Sequence, residues 1–332
     1  MNDFSTTPKG EIRIFAAGGC GSNIASMLEQ HRDQDEIGFG KIDICYIDTS
    51  RSNFKKHINQ SNAYLFESMD GSGKVRSENS AEINDRIKAI LQKFKPADLN
   101  IVISSAAGGS GSVIAPLLTG ELLSSDAPTI VLTVGSADTR LDAENTLKTI
   151  KSFESIAKRS GAPVVMMYIQ NSQSTTRAQA DNILFNAIMA LAVLFSRQTP
   201  ELDTRDLFNW LRFDRVTSFP VQLASLSIIE HKDTIADIGN VISVATIAKE
   251  GVSTTLIEMP EYQCVGFLPV DIGEPVQNKS PLHFVISDGI IPEVGKSLQK
   301  ILNTIEQQQN ARVKRAAVLS DKDIPDDTGL VL

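Results

Sequence analysis

Residues 104–113 read SSAAGGSGSV, with three glycines and four serines in ten positions, directly after the apolar run LNIVI at 99–103. Glycines at a strand-to-helix junction bring successive backbone N–H groups together, and serine hydroxyls add further donors, so such a segment makes an anion cradle. A second glycine turn, AAGGCGSNI at 16–24, follows another short apolar run, IRIF at 12–15. Alone, that turn is equally an ordinary strand-to-helix connection. Together, two such turns suit a di- or triphosphate better than a lone phosphate. Neither is a P-loop, because no glycine-rich stretch ends in Gly-Lys-Ser or Gly-Lys-Thr. A dinucleotide fingerprint fits the first turn, with Asp48 after the second strand in the place of a ribose-binding acid. That reading leaves the second glycine cluster without a purpose.

A pair of acids stands far along the chain from both turns, Asp203 and Asp206 in ELDTRDLFNW at 201–210. Carboxylates three residues apart at a helix start serve as an N-cap and a first-turn charge. Beside a phosphate they would instead orient and polarise an attacking water. Residue type and spacing leave both readings open.

The elements that must position these groups are legible in the first half of the chain. Short β-rich runs stand at IRIFA (12–16), IDICYID (42–48), NIVISS (100–105), TIVLTV (129–134) and VVMMYI (164–169). Between them lie helix-like segments at 23–32, 80–94, 113–123 and 143–159, the last with apolar residues at Leu147, Ile150, Phe153, Ile156 and Ala157. Strands that are apolar throughout and alternate with helices predict a parallel sheet covered on both faces. Ligands bind such sheets at the carboxyl ends of the strands, where both glycine turns fall. A long helix is expected over 176–197, apolar on several faces and therefore buried, ended by Pro200. Further β-rich runs follow at 221–229, 262–270 and 282–287, then a helix at 292–318 and an acidic end. No internal repeat is visible.

Bulk properties set bounds. The 332 residues exceed what one hydrophobic core usually supports, so two domains are expected. The chain is 42% hydrophobic and 22% charged with a net charge of −8, an ordinary globular balance without a footprint for nucleic acid or an anionic membrane. Cys20, Cys45 and Cys264 are isolated, with neither metal spacing nor a disulfide framework, which fits a reducing cytosol. His31, His57, His231 and His283 show no metal spacing, so no metal site built from side chains is expected. MNDFSTTPKG is no signal peptide. The apolar stretch AIMALAVLF (187–195) is about half of the ~20 residues a membrane span needs. A soluble intracellular protein is expected.

The motifs in combination resemble a family. A GGxGxN turn after the first strand, a GGSGS turn after a middle strand and a long helix between two domains are similar to tubulin and bacterial FtsZ, and within that superfamily to bacteriophage tubulins of the PhuZ type. Here the matching segments read SAAGGSGSVIAPLLTG (105–120), LDTRDLFNWLRF (202–213) and SDKDIPDDTGLVL (320–332). The resemblance covers nearly the whole chain after its N-terminal arm. It implies a Rossmann-like parallel-sheet GTPase domain, a long central helix, a smaller α/β domain with a mostly β sheet, and an acidic tail. The boundaries so implied are a flexible arm at 1–10, a GTP-binding domain at 11–175, the central helix at 176–199, a C-terminal domain at 200–318 and the tail at 319–332.

The resemblance also assigns residues. Gly18, Gly19, Cys20, Gly21, Ser22 and Asn23 would form the first phosphate and ribose loop, and Asp48 and Thr49 the second. MDGSGKV (69–75) would sense the γ-phosphate through Gly71 and Gly73, with Lys74 a cationic contact or plain surface loop. Ala107, Gly108, Gly109, Ser110, Gly111 and Ser112 would be the main cradle. Asn171 and Asp181 match the guanine-recognising positions, since a carboxylate accepts from the guanine N1–H that adenine lacks. Arg177 stands where the family carries a stacking aromatic, and its planar guanidinium can stack instead. In GSADTRLDAENTLK (135–148) the ribose partner is Asp142, Glu144 or Asn145, with Asp142 the first choice.

By the same resemblance, Asp203 and Asp206 complete the active site of the next subunit in a head-to-tail filament, with Glu201 where the family has asparagine. GTP or GDP and Mg²⁺ are the implied ligands, and a second copy of the chain is the partner. Asp321, Asp323, Asp326 and Asp327 of the tail would dock on the basic helix end Arg312, Lys314 and Arg315 of a neighbour. The implied cellular role is to position the phage DNA compartment and move capsids in the bacterial cytoplasm. Two alternatives remain: a nucleotide-dependent binding protein of this fold that does not assemble, and an NAD-linked oxidoreductase. Trp210 is expected to pack the acid-bearing helix against the C-terminal part.

Overall fold

The computed structural model describes residues 8–31, 40–56, 58–230, 235, 238–268 and 281–320, with 290 and 312–320 as backbone only. Among the described residues, ten strands form one sheet in the order β3-β2-β1-β4-β5-β6-β7-β10-β8-β9. They are β1 Glu11–Ala17, β2 Lys41–Asp48, β3 Ala63–Leu65, β4 Leu99–Ser105, β5 Thr129–Ser136, β6 Val164–Asn171, β7 Leu223–Ile229, β8 Val241–Lys249, β9 Gln263–Leu268 and β10 Leu282–Ser287. The helices are α1 Gly18–Gln30, α2 Ser80–Lys93, α3 Gly111–Ser124, α4 Arg140–Ser160, α5 Arg177–Leu194, α6 Thr204–Leu211 and α7 Ile290–Ser320.

From β3 to β7 all neighbours are parallel. β10 runs antiparallel between β7 and β8, and β9 is parallel to β8. Three pairs, Val164 with Leu223, Val165 with Ala224 and Met166 with Ser225, join the first six strands to the last four. The pleat sorts alternate residues of each strand into two cores. Ile12, Ile14 and Ala16 pack with Leu184 and Ile188 of α5 and Ile24 of α1, whereas Phe15 and Ala17 belong to the core that holds residues of α2, α3, α4 and α7. Helices thus cover both faces, as expected for strands that are apolar throughout.

Four local expectations need correction. The first glycine turn is not a loop before a helix at 23–32; α1 starts at Gly18, so the glycines are its first turn. The long helix ends at Leu194, because Arg197 takes a left-handed φ of +59° before Pro200 is reached. β8 and the short β3 escaped the reading of the sequence. In β8 the polar residues that dilute the apolar run are buried with partners: Ser243 Oγ donates to the Trp210 carbonyl at 3.0 Å, and Thr246 Oγ1 meets His283 Nδ1 at 2.9 Å. Trp210 itself is fully buried and crosses Phe284 of β10 at 6.3 Å between ring centres, as its expected packing role requires.

The path of α5 decides where the acids go. Its N-terminus lies at the carboxyl ends of the strands, and it spans about 27 Å at ~1.5 Å per residue before releasing the chain at the opposite end of the sheet. There Gly10 and Gly40, ahead of β1 and β2, donate to Ser196 and Ala192 carbonyls at 3.0 and 2.8 Å. α6, with Asp203 and Asp206, follows at that same end.

Candidate functional site

Two hollows open at the carboxyl ends of β1, β4, β5 and β6, and they share Gly19, Cys20, Ser105 and Gly108. One, of about 330 Å³, also reaches Asn23, Lys74, Asp142, Asn171, Arg177 and Asp181. The other, of about 220 Å³, is bounded by Asp48, Gly71, Ser72, Gly109, Ser110 and Gly111. The residues picked out as phosphate loops and those picked out for base and ribose therefore line two ends of one continuous cleft.

Close backbone contact forms the phosphate end. Gly18 has φ +73°, and a Cβ on it would stand 2.9 Å from the Gly111 nitrogen, so the starts of α1 and α3 touch without side chains between them. A Cβ on Gly109 would stand 1.8 Å from Ser72 Oγ and 3.0 Å from Lys74 Cα, which lets the loop at 71–75 lie directly on the cradle. Thr49 Oγ1 and Ser110 Oγ share a 2.5 Å hydrogen bond, and Ser72 Oγ lies 3.2 Å from the same Ser110 oxygen. Three hydroxyls from three loops thus converge.

The two helices that start at the phosphate end differ from α4 and α5, which start at the base end of the same cleft. α1 and α3 have neither a side-chain N-cap nor an acid in the first turn. By contrast, Thr139, Thr176 and Asp203 cap α4, α5 and α6 with their side chains. Uncapped helix starts leave backbone N–H groups and the positive end of the dipole directed at whatever fills the cleft.

Not every residue assigned from the sequence faces this space. Gly21 and Ser22 lie on the buried, sheet-facing side of α1, where a Cβ on Gly21 would be 2.5 Å from the Ile103 carbonyl. Ser112 is fully buried and its hydroxyl donates to the Gly109 carbonyl at 2.9 Å, so it shapes the cradle from behind. Asp48 organises its own loop: one oxygen accepts from the Thr49 and Ser50 N–H groups at 2.7 and 3.2 Å, the other from Asn53 Nδ2 at 2.7 Å. Burial nevertheless pushes the Asp48 carboxyl up. Thr49 reaches the cleft only through its bond to Ser110, and Gly73 is exposed beside it.

At the base end Asn23 Nδ2 donates to Asp181 Oδ2 at 2.7 Å, and burial raises the Asp181 pKa against the opposing pull of Asn23 and Arg177. The thiol of Cys20 is pushed up to about 12, first by burial and then by Asp181, so it is neutral and no nucleophile. Of the three ribose candidates only Asp142 lines the cleft, and Lys74 Nζ holds it at 2.6 Å. Glu144 pairs with Arg140 at 2.6 Å on the α7 side. Asn145 ties two loops together, donating to the Lys74 and Ala107 carbonyls at 2.9 and 3.2 Å.

Several lining residues went unread in the sequence. Asn53 carried no local signal, since its bond to Asp48 joins two side chains five residues apart. Lys55 does not line either hollow but borders the site, its Nζ donating to Asn23 Oδ1 at 3.3 Å. Ser72, Ser105 and Ser136 fall inside segments singled out in the sequence without being picked out individually.

Asp203 and Asp206 stand at the other end. Asp203 accepts from the Arg205 and Asp206 N–H groups at 2.8 and 2.9 Å, while Asp206 Oδ2 accepts from the Asp203 N–H at 3.3 Å, a reciprocal capping box. Asp203 shares a small hollow with Asp98 and Pro128, the residues just ahead of β4 and β5. The cleft opens where those same strands end, about 23 Å away along the seven residues of β4 at ~3.3 Å each. The acids of one chain therefore cannot reach its own cleft.

Residues 202–290 match the family model described as phage tubulin-like protein, C-terminal domain. The phage tubulin-like protein of Pseudomonas phage phiKZ is 26% identical, over 97% of this chain and 98% of its own length. The chain is similar to phage tubulin-like proteins. Its tubulin/FtsZ-like fold agrees: a solved protofilament of TubZ from bacteriophage PhiKZ superimposes with a TM-score of 0.81 at 25% identity, covering 96% of this chain and 95% of that one. The phage tubulin PhuZ with GDP superimposes with a TM-score of 0.80 at 24% identity, covering 97% and 99%. Among the described residues, no helix of this tubulin-like chain is long and apolar enough to cross a membrane. No group of three or more His, Cys, Asp or Glu among them has the arrangement of a metal site. His57, His231 and tail residues Asp321, Asp323, Asp326 and Asp327 lie outside the described residues, and Arg312, Lys314 and Arg315 fall within α7 as backbone only.

Proposed function

We propose that this chain binds guanosine triphosphate in the cleft and hydrolyses it on assembly into head-to-tail filaments. The observation that carries the reading is the pair of uncapped helix starts, α1 and α3, brought into contact at one cleft and bordered by converging hydroxyls. An acidic chain does not leave two positive helix ends open together without an anion to meet them. Asp181 and Asn171 supply acceptors suited to guanine, and Arg177 borders the same hollow with a planar guanidinium. These features support a nucleotide rather than free phosphate.

Hydrolysis needs a carboxylate to orient and polarise a water beside the terminal phosphate. The cleft's own Asp48 is engaged by three hydrogen bonds in its loop, and Asp142 by Lys74 and Thr139. Asp203 and Asp206 stand one strand length away, so the acid of one subunit serves the cleft of the next. Such a contact between unlike surfaces does not close on itself and builds a filament. Mg²⁺ keeps mostly phosphate and water ligands when it accompanies a nucleotide, so the absence of a protein cage among the described residues is compatible with it. When bound it would neutralise phosphate charge, with Asp48 the nearest lining carboxylate. The acidic tail and the basic end of α7 belong to this proposal as a second link between neighbours, and so does a role in placing phage DNA and capsids in the infected cell.

Light scattering of the purified chain after GTP and Mg²⁺, with GDP and ATP controls and phosphate release in parallel, tests the reading. A GTP-specific rise that decays as GTP is consumed is expected. Bound GTP with no rise would move the function to a non-assembling binding protein, and preferential binding of NAD would return it to the oxidoreductase alternative.

A further inference from the structure

The two ends of the sheet are unequal in positive charge. Among the described residues, no lysine or arginine lines the hollow at the phosphate end, and its one charged side chain is the carboxylate of Asp48. Lys74 and Arg177 border the neighbouring hollow, and Lys74 is already paired with Asp142. Backbone N–H groups suit the resting phosphates, but phosphoryl transfer spreads charge over three equatorial oxygens, which a planar guanidinium can bind. Arginines gather at the opposite end. Arg197 pairs with Asp98, and Arg212 and Arg215 both pair with Asp126. Arg205, exposed on α6, is the member of that group whose guanidinium meets no carboxylate among the described residues. It lies over the Phe208 ring at 5.8 Å, and Arg215 lies over the same ring at 5.0 Å.

Arg205 also stands against the electrostatics of its own helix. It is the second residue of α6, where the positive end of the dipole disfavours a cation. The capping box fixes its backbone between the two acids: its N–H donates to Asp203 Oδ1 at 2.8 Å, and Asp206 follows it directly. Pairing within the chain does not account for a guanidinium there, and Phe208 keeps Arg215 without it. Resting on the filament reading above, we infer that Arg205 is a catalytic residue for the cleft of the next subunit, where its guanidinium meets the terminal phosphate of GTP. In that hydrolysis a water oxygen bonds to the terminal phosphorus as the bond from phosphorus to the bridging oxygen breaks. The electron pair of the broken bond stays on GDP, and the proton of the water leaves through an α6 carboxylate. Arg205 stays protonated throughout and binds the charge that builds on the transferring group. One end of the sheet thus lacks the cation that the other end carries unpaired.

The test is GTP turnover per polymerised subunit of the full chain with Mg²⁺, from phosphate release and pelleted filament measured together. Arg205→Met keeps an apolar stem over Phe208 and removes the charge. It should lower turnover within filaments by about a hundredfold or more, the scale of losing one donor to the transition state. GTP affinity of the dispersed chain, and the amount of filament formed with a non-hydrolysable GTP analogue, should each stay within about threefold, because the contact is made only in the transition state. GDP with aluminium fluoride, a mimic of the transferring group, should hold wild-type filaments together and fail to hold those of Arg205→Met. Parental turnover in Arg205→Met filaments overturns the inference and leaves the filament reading intact. So does a loss of filament with the analogue that matches the loss of turnover, which would make Arg205 an assembly contact. Wild-type filaments that hydrolyse no GTP, or a wild type that forms none, overturn the underlying reading with it. A melting curve that matches the wild type shows that the variant is folded.

Discussion

The two ends of the sheet handle polar groups in opposite ways. At the carboxyl end, α1 and α3 begin without caps, glycines let loops touch, and hydroxyls from three segments meet in a concave space. At the other end, Asp203 and Asp206 satisfy each other's backbone at a helix start, and Tyr262 donates to the Asp206 carbonyl at 3.0 Å. One end is incomplete without a ligand; the other is complete as a local structure and still carries two carboxylates toward solvent. The same helix, α5, separates them by the length of the sheet. In the proposed filament, an active site divided in this way is finished only when two copies meet.

The largest effect expected is on turnover. Asp206→Ala should lower GTP hydrolysis by roughly a hundredfold or more, the usual contribution of a positioned acid or base, and leave nucleotide affinity unchanged. Filaments of this variant should persist after the parent's have gone. Parental disassembly rates would show that the acid end is only a cap, and the contrast between the ends would fail.

At the opposite end, Gly109→Ala places a methyl where Ser72 Oγ and Lys74 Cα stand. Displacing the loop at 71–75 should cost about tenfold or more in GTP affinity, because a misplaced loop loses its contacts to the phosphates. Calorimetric titration measures it, and unchanged affinity would remove the cradle from the account.

Guanine selection should be sensitive to pH through Asp181. Its pKa is raised by burial, so on acidification it gains a proton at a higher pH than an ordinary carboxyl. Protonation replaces an acceptor with a donor, so the preference for GTP over ATP should be full at neutral pH and fade as pH falls. Asp181→Asn should reduce the preference by about tenfold at neutral pH and abolish its pH dependence.

The smallest effect separates capping from chemistry. Asparagine caps a helix as well as aspartate does, whereas alanine costs about 1 kcal/mol. Asp203→Asn should keep the parental melting temperature and lose turnover, while Asp203→Ala should lose both. Normal turnover in Asp203→Asn would make this residue structural alone.

How much of this was legible in the sequence differs between the same two ends. The parallel strands, the alternating helices and the glycine loops could be read directly, because apolar runs and glycine clusters report on local backbone and burial. The role of Gly21 and Ser112 could not: both look like cradle residues but pack inward against Ile103 and Gly109 carbonyls. The ion pair of Lys74 with Asp142 joins positions 68 residues apart and carries no local signal. β8 was hidden because its serine and threonine find partners only across the fold, on Trp210 and His283. Spacing alone identified Asp203 and Asp206 but left cap and acid both open, and the structure shows the cap and places the pair at the end of the sheet opposite the cleft.

The most direct measurement is GTP turnover per subunit as protein concentration is varied. An active site shared between copies predicts turnover that vanishes at high dilution and rises steeply once assembly begins. Turnover per subunit that stays constant across that range would mean that one chain holds a complete active site, and would contradict the account.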